Sequence, residues 1–402
     1  MQVTLIGLGG GTGETLSAEA RRALEQAELV LGAERLLENL PEIENQKRAA
    51  ATKSAELFAL LTKSDAKRPC VVFSGDTGFY SGASGLLALL REAEIPCRVL
   101  PGLSSVQLLA ARLGEPWQDW TLCSAHGAPC DPVAALMAGR PAFFLTGGKC
   151  TPASLCREIT DAGLGALRVA VGEKLACPDE RVSTMTAAEC AELCFAPLSV
   201  LLVEAAPRPF ERSGGIPDDA FLRGEVPMTK QEVRAAILAK LAVRPEDTVW
   251  DVGAGTGSAS VELALAARRG RAYAVEYRDE ALALIEENRS RFGAWNLRVV
   301  RGKAPEALSS LPAPDAVFVG GSEGRLREIV DAALSKNPDA RLCVSAIALE
   351  TLSAALDIFN SLGLDAELTQ LAVSRARPDA RLHLLLANNP VFLVTACREE
   401  NR

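Results

Sequence analysis

The sequence of 402 residues is poor in several residue types, and each shortage removes a class of function. Two histidines are too few for a histidine-built metal centre, and the eleven cysteines include no C-x-x-C pair to build one from thiolates. No metal is therefore expected. Aromatic residues make up 5% and the net charge is −8, the opposite of the basic, aromatic-studded surface that grips nucleic acid. No apolar run approaches the ~18 residues that a membrane-spanning helix needs, so no membrane partner is expected. The opening MQVTLIGLGGG has no basic segment ahead of its apolar run, and no secretory signal is expected. The cysteines are scattered, odd in number and often inside apolar runs (Cys70, Cys97, Cys123, Cys343), which points to buried, reduced thiols and a cytoplasmic location.

What is present is a globular composition, 48% hydrophobic and 23% charged, in a chain too long for one ordinary core. The most informative stretch is Thr248 to Tyr277. A short apolar run ends in Asp251-Val252-Gly253-Ala254-Gly255-Thr256-Gly257. An amphipathic segment follows, then a second apolar run ending in Glu276. This reads as strand, glycine turn, helix, strand, acid. Glycines let the backbone pass close under a ligand and open a helix whose free N–H groups face it. A carboxylate at Glu276 is placed to accept the two ribose hydroxyls of a nucleoside. A dinucleotide fold wants glycine at the sixth position, where Ser258 stands, and the lysine of a Walker loop is absent. The pattern instead resembles the S-adenosylmethionine (SAM) site of class I methyltransferases.

The first half repeats one theme. Strands at about 2–6, 28–32, 71–73, 97–100, 121–123, 142–146, 168–172 and 199–204 each end in a small, polar or glycine-rich turn. In open α/β sheets that edge binds ligands. The initial glycine turn, SGDTGFYS, PGLSSVQ, SAHG and FFLTG match in order those of the tetrapyrrole methylase (class III) family, which residues 1–206 resemble. The resemblance implies two α/β lobes and a SAM site lined by Gly10, Gly75, Asp76, Ser104, Ser105 and Leu145. Gly10 stands where the family usually has proline. His126 reads either as a general base or as a hydrogen-bonded loop histidine.

Residues 207–227, rich in proline and glycine, are expected to link this domain to a second one over 228–402. Thr229 with Glu232 reads as a capping box opening a helix that covers the second ligand site. Five β-α units and two long closing strands, about 367–375 and 381–394, follow. MTKQEVR, DVGAGTGS, GKAPEAL and FVGGS resemble the C15-methylating, decarboxylating family of corrin-ring synthesis. Its SAM residues would be Thr229, Gly253, Ala254, Gly255, Thr256, Gly257, Glu276 and Ala304.

Both halves in one chain resemble the bifunctional C5,15-methylating, decarboxylating enzymes of cobalamin synthesis. That resemblance implies an α/β protein: a two-lobed class III fold followed by a class I Rossmann-like domain with a mostly parallel seven-stranded sheet. It implies one SAM per domain and a tetrapyrrole substrate, precorrin-6B/6Y going to precorrin-8X, or its cobalt-bearing counterpart. It also implies a homo-oligomer. A substrate rich in carboxylates needs cations, for which Arg234, Arg375, Arg377 and Arg381 are the candidates, with Lys230 beside them. A tRNA-type methyltransferase is the alternative that the acidic charge disfavours.

Overall fold

Short apolar runs that end in glycine make parallel strands, because both faces of such a strand are buried. The computed structural model describes residues 1–10, 15–126, 130–212, 214–379 and 382–398, with the side chains of 377–384 excepted. The chain divides into two units. The first comprises residues 1–130, 141–157 and 166–204. The second comprises 205–402 and two short segments from the first half of the sequence, 131–140 and 158–165.

In the first unit, β1 (Val3–Gly7), β2 (Leu29–Gly32), β3 (Lys47–Ala50), β4 (Pro69–Phe73) and β5 (Cys97–Leu100) form an all-parallel sheet in the order β3-β2-β4-β1-β5. Helices cover both faces. Leu5 and Val71 belong to one core, Ile6 and Val72 to the other. Ser17 caps the first helix, its side chain accepting the Ala20 N–H at 3.1 Å. A second sheet contains β6 (Thr121–Ser124), β7 (Ala142–Leu145), β8 (Arg168–Glu173), β9 (Arg181–Thr186) and β10 (Ser199–Val203), in the order β6-β7-β10-β8-β9. Only β6 and β7 are parallel in it. β3 and β9 were not anticipated from sequence. Both are edge strands with basic or polar residues (Lys47, Arg48, Arg181, Ser183), so neither shows an apolar run.

The second unit is a seven-stranded sheet of β11 (Thr248–Val252), β12 (Arg271–Glu276), β13 (Leu297–Arg301), β14 (Ala316–Val319), β15 (Arg341–Ala346), β16 (Asp365–Leu371) and β19 (Val391–Cys397). Its order is β13-β12-β11-β14-β15-β19-β16. The five strands from β13 to β15 are parallel and β19 runs antiparallel to both its neighbours. Strand order reverses between β11 and β14, the switch point at which such sheets bind ligands. The two long closing strands read from sequence are each broken in two. Between β16 and β19 the chain makes a separate hairpin of β17 (Ser374–Asp379) and β18 (Leu382–Ala387). β-propensity marked the residues as extended, but only pairing partners decide where one strand stops.

The helix Gln231–Leu241 also differs from expectation. Its N-cap is Lys230, and Thr229 makes no capping box. Asp218 takes the capping role instead, its Oδ1 accepting the Gln231 N–H at 2.9 Å, while Glu232 is drawn to Arg375. The residues preceding this helix are packed: Ile216 is fully buried and Phe221 nearly so, both against the core below the sheet. No described helix is long and apolar enough to cross a membrane.

Candidate active sites

In the first unit the loops after β1, β4 and β5 converge. Gly9 and Gly75 exchange backbone hydrogen bonds at 3.1 and 2.9 Å. A Cβ on Gly102 would lie 2.4 Å from the Gly75 carbonyl and 2.5 Å from that of Gly7, so only glycine lets these loops meet. Asp76 ties them: its Oδ1 accepts the Gly78 N–H at 2.8 Å and its Oδ2 the Gly102 N–H at 3.2 Å. The turn role of Asp76 is therefore real, and its carboxylate also faces the cavity beside it. That cavity, about 360 Å³, is lined by Gly10, Gly75, Asp76, Ser104, Ser105, His126 and Leu145 among others. It thus brings together every residue assigned to this half by resemblance.

The loop after β1 is tighter than its glycines suggested. A Cβ on Gly10 would come 2.3 Å from that of Ala176, so this backbone has no room for the family's usual proline. Gly11 to Gly13 of the same turn lie outside the described residues, as does Gly127 beside His126. His126 sits with Nδ1 3.4 Å from the Thr146 carbonyl.

In the second unit the cavity opens at the carboxyl edge of the sheet and holds about 450 Å³. Thr229, Gly253, Ala254, Gly255, Glu276 and Ala304 line it, together with Pro227, Met228 and Lys230 ahead of the helix Gln231–Leu241. Gly253 has φ +75°, and a Cβ there would lie 2.7 Å from the Gly321 carbonyl. The glycine turn is thereby pressed against the loop after β14. Glu276 is 3% exposed. Its Oε2 accepts the Gly255 N–H at 3.0 Å, and its Oε1 accepts those of Tyr277 and Arg278 at 2.9 and 3.1 Å. Burial works against its charge, but the Arg278 guanidinium and these N–H groups outweigh burial and hold the carboxyl below the usual range. An ionised, fixed carboxylate beside a glycine cradle fits the ribose of a nucleoside ligand.

Thr256 and Gly257 do not line this cavity. Thr256 is buried behind the turn, and Gly257, with φ +75°, starts the helix Ser258–Ala266 against Ile285. They shape the turn from behind. Arg234 also departs from expectation. It is fully buried, and its guanidinium donates to Glu262 and Asp218 at 2.8 Å each and to the carbonyls of Thr229 and Ile216. Four of its five N–H donors are engaged inside the fold, so rather than reaching a substrate it fastens the segment that walls the cavity. Arg375 pairs with Asp218 and Glu232. The side chain of Arg377 and all of Arg381 lie outside the described residues. Asp218 and Glu262 escaped the sequence reading. The one available signal was Glu262, an acid inside an otherwise apolar helix, where burial demands a partner.

Asp251 lies under the glycine turn, fully buried. Ser260 donates to its Oδ2, and its Oδ1 has no partner among the described residues. Burial, reinforced by the nearby charge of Glu276, pushes its carboxyl up to about 7. The folded protein therefore keeps a proton that the unfolded chain releases near pH 4. The stability it contributes is complete below pH ~4 and is lost as pH rises to ~7, on the order of 4 kcal/mol in all. Asp251→Asn is expected to flatten this slope, and thermal melts at pH 5 and pH 8 measure it. A variant that kept the wild-type slope would assign the slope elsewhere.

Two α/β units each open a glycine-lined cavity at the carboxyl edge of a parallel sheet, and the family matches make the whole a two-domain SAM-dependent methyltransferase. Residues 2–191 match the Tetrapyrrole (Corrin/Porphyrin) Methylases family, and residues 219–398 match the Precorrin methyltransferase domain family. The chain is 35% identical over 384 residues, 94% of its length and 91% of the relative's, to a Precorrin-6Y C(5,15)-methyltransferase [decarboxylating] of Sinorhizobium sp. It is 46% identical over 185 residues, 45% of this chain and 95% of the relative, to a Probable cobalt-precorrin-6B C(15)-methyltransferase (decarboxylating) of Pyrobaculum calidifontis. A cobalt-precorrin-6B C(15)-methyltransferase (decarboxylating) of Salmonella typhimurium is 41% identical over 187 residues, 46% of this chain and 96% of the relative. The chain belongs to the precorrin-6Y C(5,15)-methyltransferase (decarboxylating) family.

Proposed function

We propose that this protein methylates a precorrin at two carbons, C5 in the first unit and C15 in the second, with loss of the ring C acetate carboxyl as CO2. Each unit holds its own SAM. The observation that carries this reading is the pair of cavities, which share no residue and are built on different sheets within one chain. Bound SAM supplies a methyl group on a positively charged sulfur. The chain's own work is to bind, orient and exclude water. In the second unit Glu276 takes the ribose, the Gly253–Gly255 backbone lies under the ligand, and Met228 and Thr229 close one wall. In the first unit the Gly75 and Ser104 loops do the equivalent, held by Asp76. The reduced macrocycle brings electron-rich carbons, so neither unit needs a strong protein base.

The substrate is the metal-free precorrin-6B/6Y: the relative that spans both units is named for precorrin-6Y, and the shorter relatives for cobalt-precorrin-6B. A cytoplasmic homo-oligomer completes the reading, and light scattering measures the oligomer. Mass spectrometry after incubation with SAM and the precorrin is the test. The expected product has gained two methyl groups and lost one CO2, and calorimetry gives two SAM per chain. A product with a single methyl group, or conversion only of the cobalt-bearing substrate, contradicts it.

A further inference from the structure

Beyond Glu276 and the glycine turn, the second cavity carries a cluster of three polar side chains. Tyr277 follows the end of β12, Lys303 the end of β13, and Glu323 lies in the loop after β14. All three line the cavity. Tyr277 Oη donates to Glu323 Oε1 at 2.5 Å, Lys303 Nζ is 3.2 Å from Glu323 Oε2, and the same ammonium sits 4.3 Å from the centre of the Tyr277 ring. Three separate loops thus converge on one cation. Glu323 holds φ +48°, a backbone that non-glycine residues rarely adopt, immediately before Gly324 at φ +82°. The loop that bears it is the one pressed against Gly253, so the cluster stands beside the methyl donor's cradle. Ile347, 74% exposed, lines the same cavity and offers an apolar surface to a macrocycle.

We propose that Lys303 is the anchor for a carboxylate of the tetrapyrrole that is retained through the reaction. Glu323 and Tyr277 are positioning residues that hold the ammonium at the cavity mouth. This rests on the reading of the second unit as the C15-methylating, decarboxylating site. Lys303 and Glu323 are each more than half exposed, so their pair contributes little by itself, and an incoming carboxylate can share or displace Glu323. The anchored carboxylate is not the departing one. Loss of CO2 breaks the bond between the methylene and carboxyl carbons and sends its electron pair into the macrocycle, and the methylene carbon then takes a proton from water. An ammonium on the departing carboxylate would stabilise its concentrated charge before the step more than during it, and so slow the step.

The experiment compares the full-length protein with Lys303→Gln, Lys303→Arg, Tyr277→Phe and Glu323→Gln, using the precorrin and SAM. Lys303→Gln is expected to raise KM for the precorrin in C15 methylation roughly 10- to 100-fold, the loss of one charge-assisted hydrogen bond. Its kcat, its SAM affinity and its ratio of one CO2 per C15 methyl stay near wild type. Lys303→Arg restores most of the KM. Tyr277→Phe and Glu323→Gln give smaller rises in KM at unchanged kcat. An unchanged KM in Lys303→Gln overturns the proposal. So does a fall in CO2 released per C15 methyl, which would put Lys303 on the departing carboxylate. Wild-type protein that binds SAM yet methylates no precorrin at C15 would remove the parent reading before any variant is compared.

Discussion

Glu276→Gln is expected to abolish C15 methylation and decarboxylation while leaving C5 methylation intact. The carboxylate is ionised, nearly inaccessible to solvent and fixed by backbone N–H groups from the glycine turn and from its own strand end. An amide placed there turns an NH2 donor toward one of those N–H groups, and it cannot accept two ribose hydroxyls. Two charge-assisted hydrogen bonds contribute about 3–6 kcal/mol, so SAM affinity in the second unit should fall roughly 10²- to 10⁴-fold. Calorimetry would then register one SAM per chain instead of two. The product would gain a single methyl group and keep its carboxyl. The first cavity shares no residue with the second, which is why C5 methylation is spared. If the folded variant lost both methylations equally, the two-site reading would fail.

Arg234→Ala should be the most destabilising single change in the second unit. Arg234 and Glu262 are both fully buried, and Phe221 packs against the guanidinium at 4.7 Å. The Glu262 carboxylate also accepts the N–H groups of Gly215 and Ile216 at 2.8 and 2.9 Å. Removing the cation leaves a buried charge with only those two donors, a loss of about 3–5 kcal/mol. The same change frees the Thr229 carbonyl and leaves Asp218 held only by Arg375 and the Gln231 N–H, so the wall formed by Pro227 to Lys230 loosens. Calorimetric melting should therefore show the transition of the second unit lowered by several degrees and that of the first unchanged. SAM binding at the second site should weaken even below the melt. Replacing both partners, Arg234→Met with Glu262→Leu, should recover part of the stability. A double variant no better than Arg234→Ala would count against an uncompensated charge as the cause.

Most of the order of strands and helices, and the glycine turn at 253–257 with its downstream acid Glu276, were legible in the residues. Parallel strands announce themselves as unbroken apolar runs, and a turn under a ligand must be glycine whatever surrounds it. The resemblance of each half to a methyltransferase family added candidate SAM residues, and the tertiary structure gathers most of those candidates at two cavities. Edge strands β3 and β9 stayed hidden because their pairing leaves polar side chains in place. The closing hairpin stayed hidden because extended backbone alone does not say which strand pairs with which.

What the linear chain determined, then, was local: where backbone turns, which faces are apolar, and which positions admit only glycine. What only the folded molecule decided was the employment of its charges. Arg234 read as a substrate ligand and proves to be a buried tie. Thr229, read both as a cap and as a residue of the methyl-donor site, makes no cap and lines the cavity, with Asp218 capping from outside the helix. Lys303, Tyr277 and Glu323, at the ends of three different strands, meet only when the sheet forms. A charged side chain takes its role from what lies within a few ångströms of it, and partners separated by 13 to 46 positions bear no mark of one another along the chain.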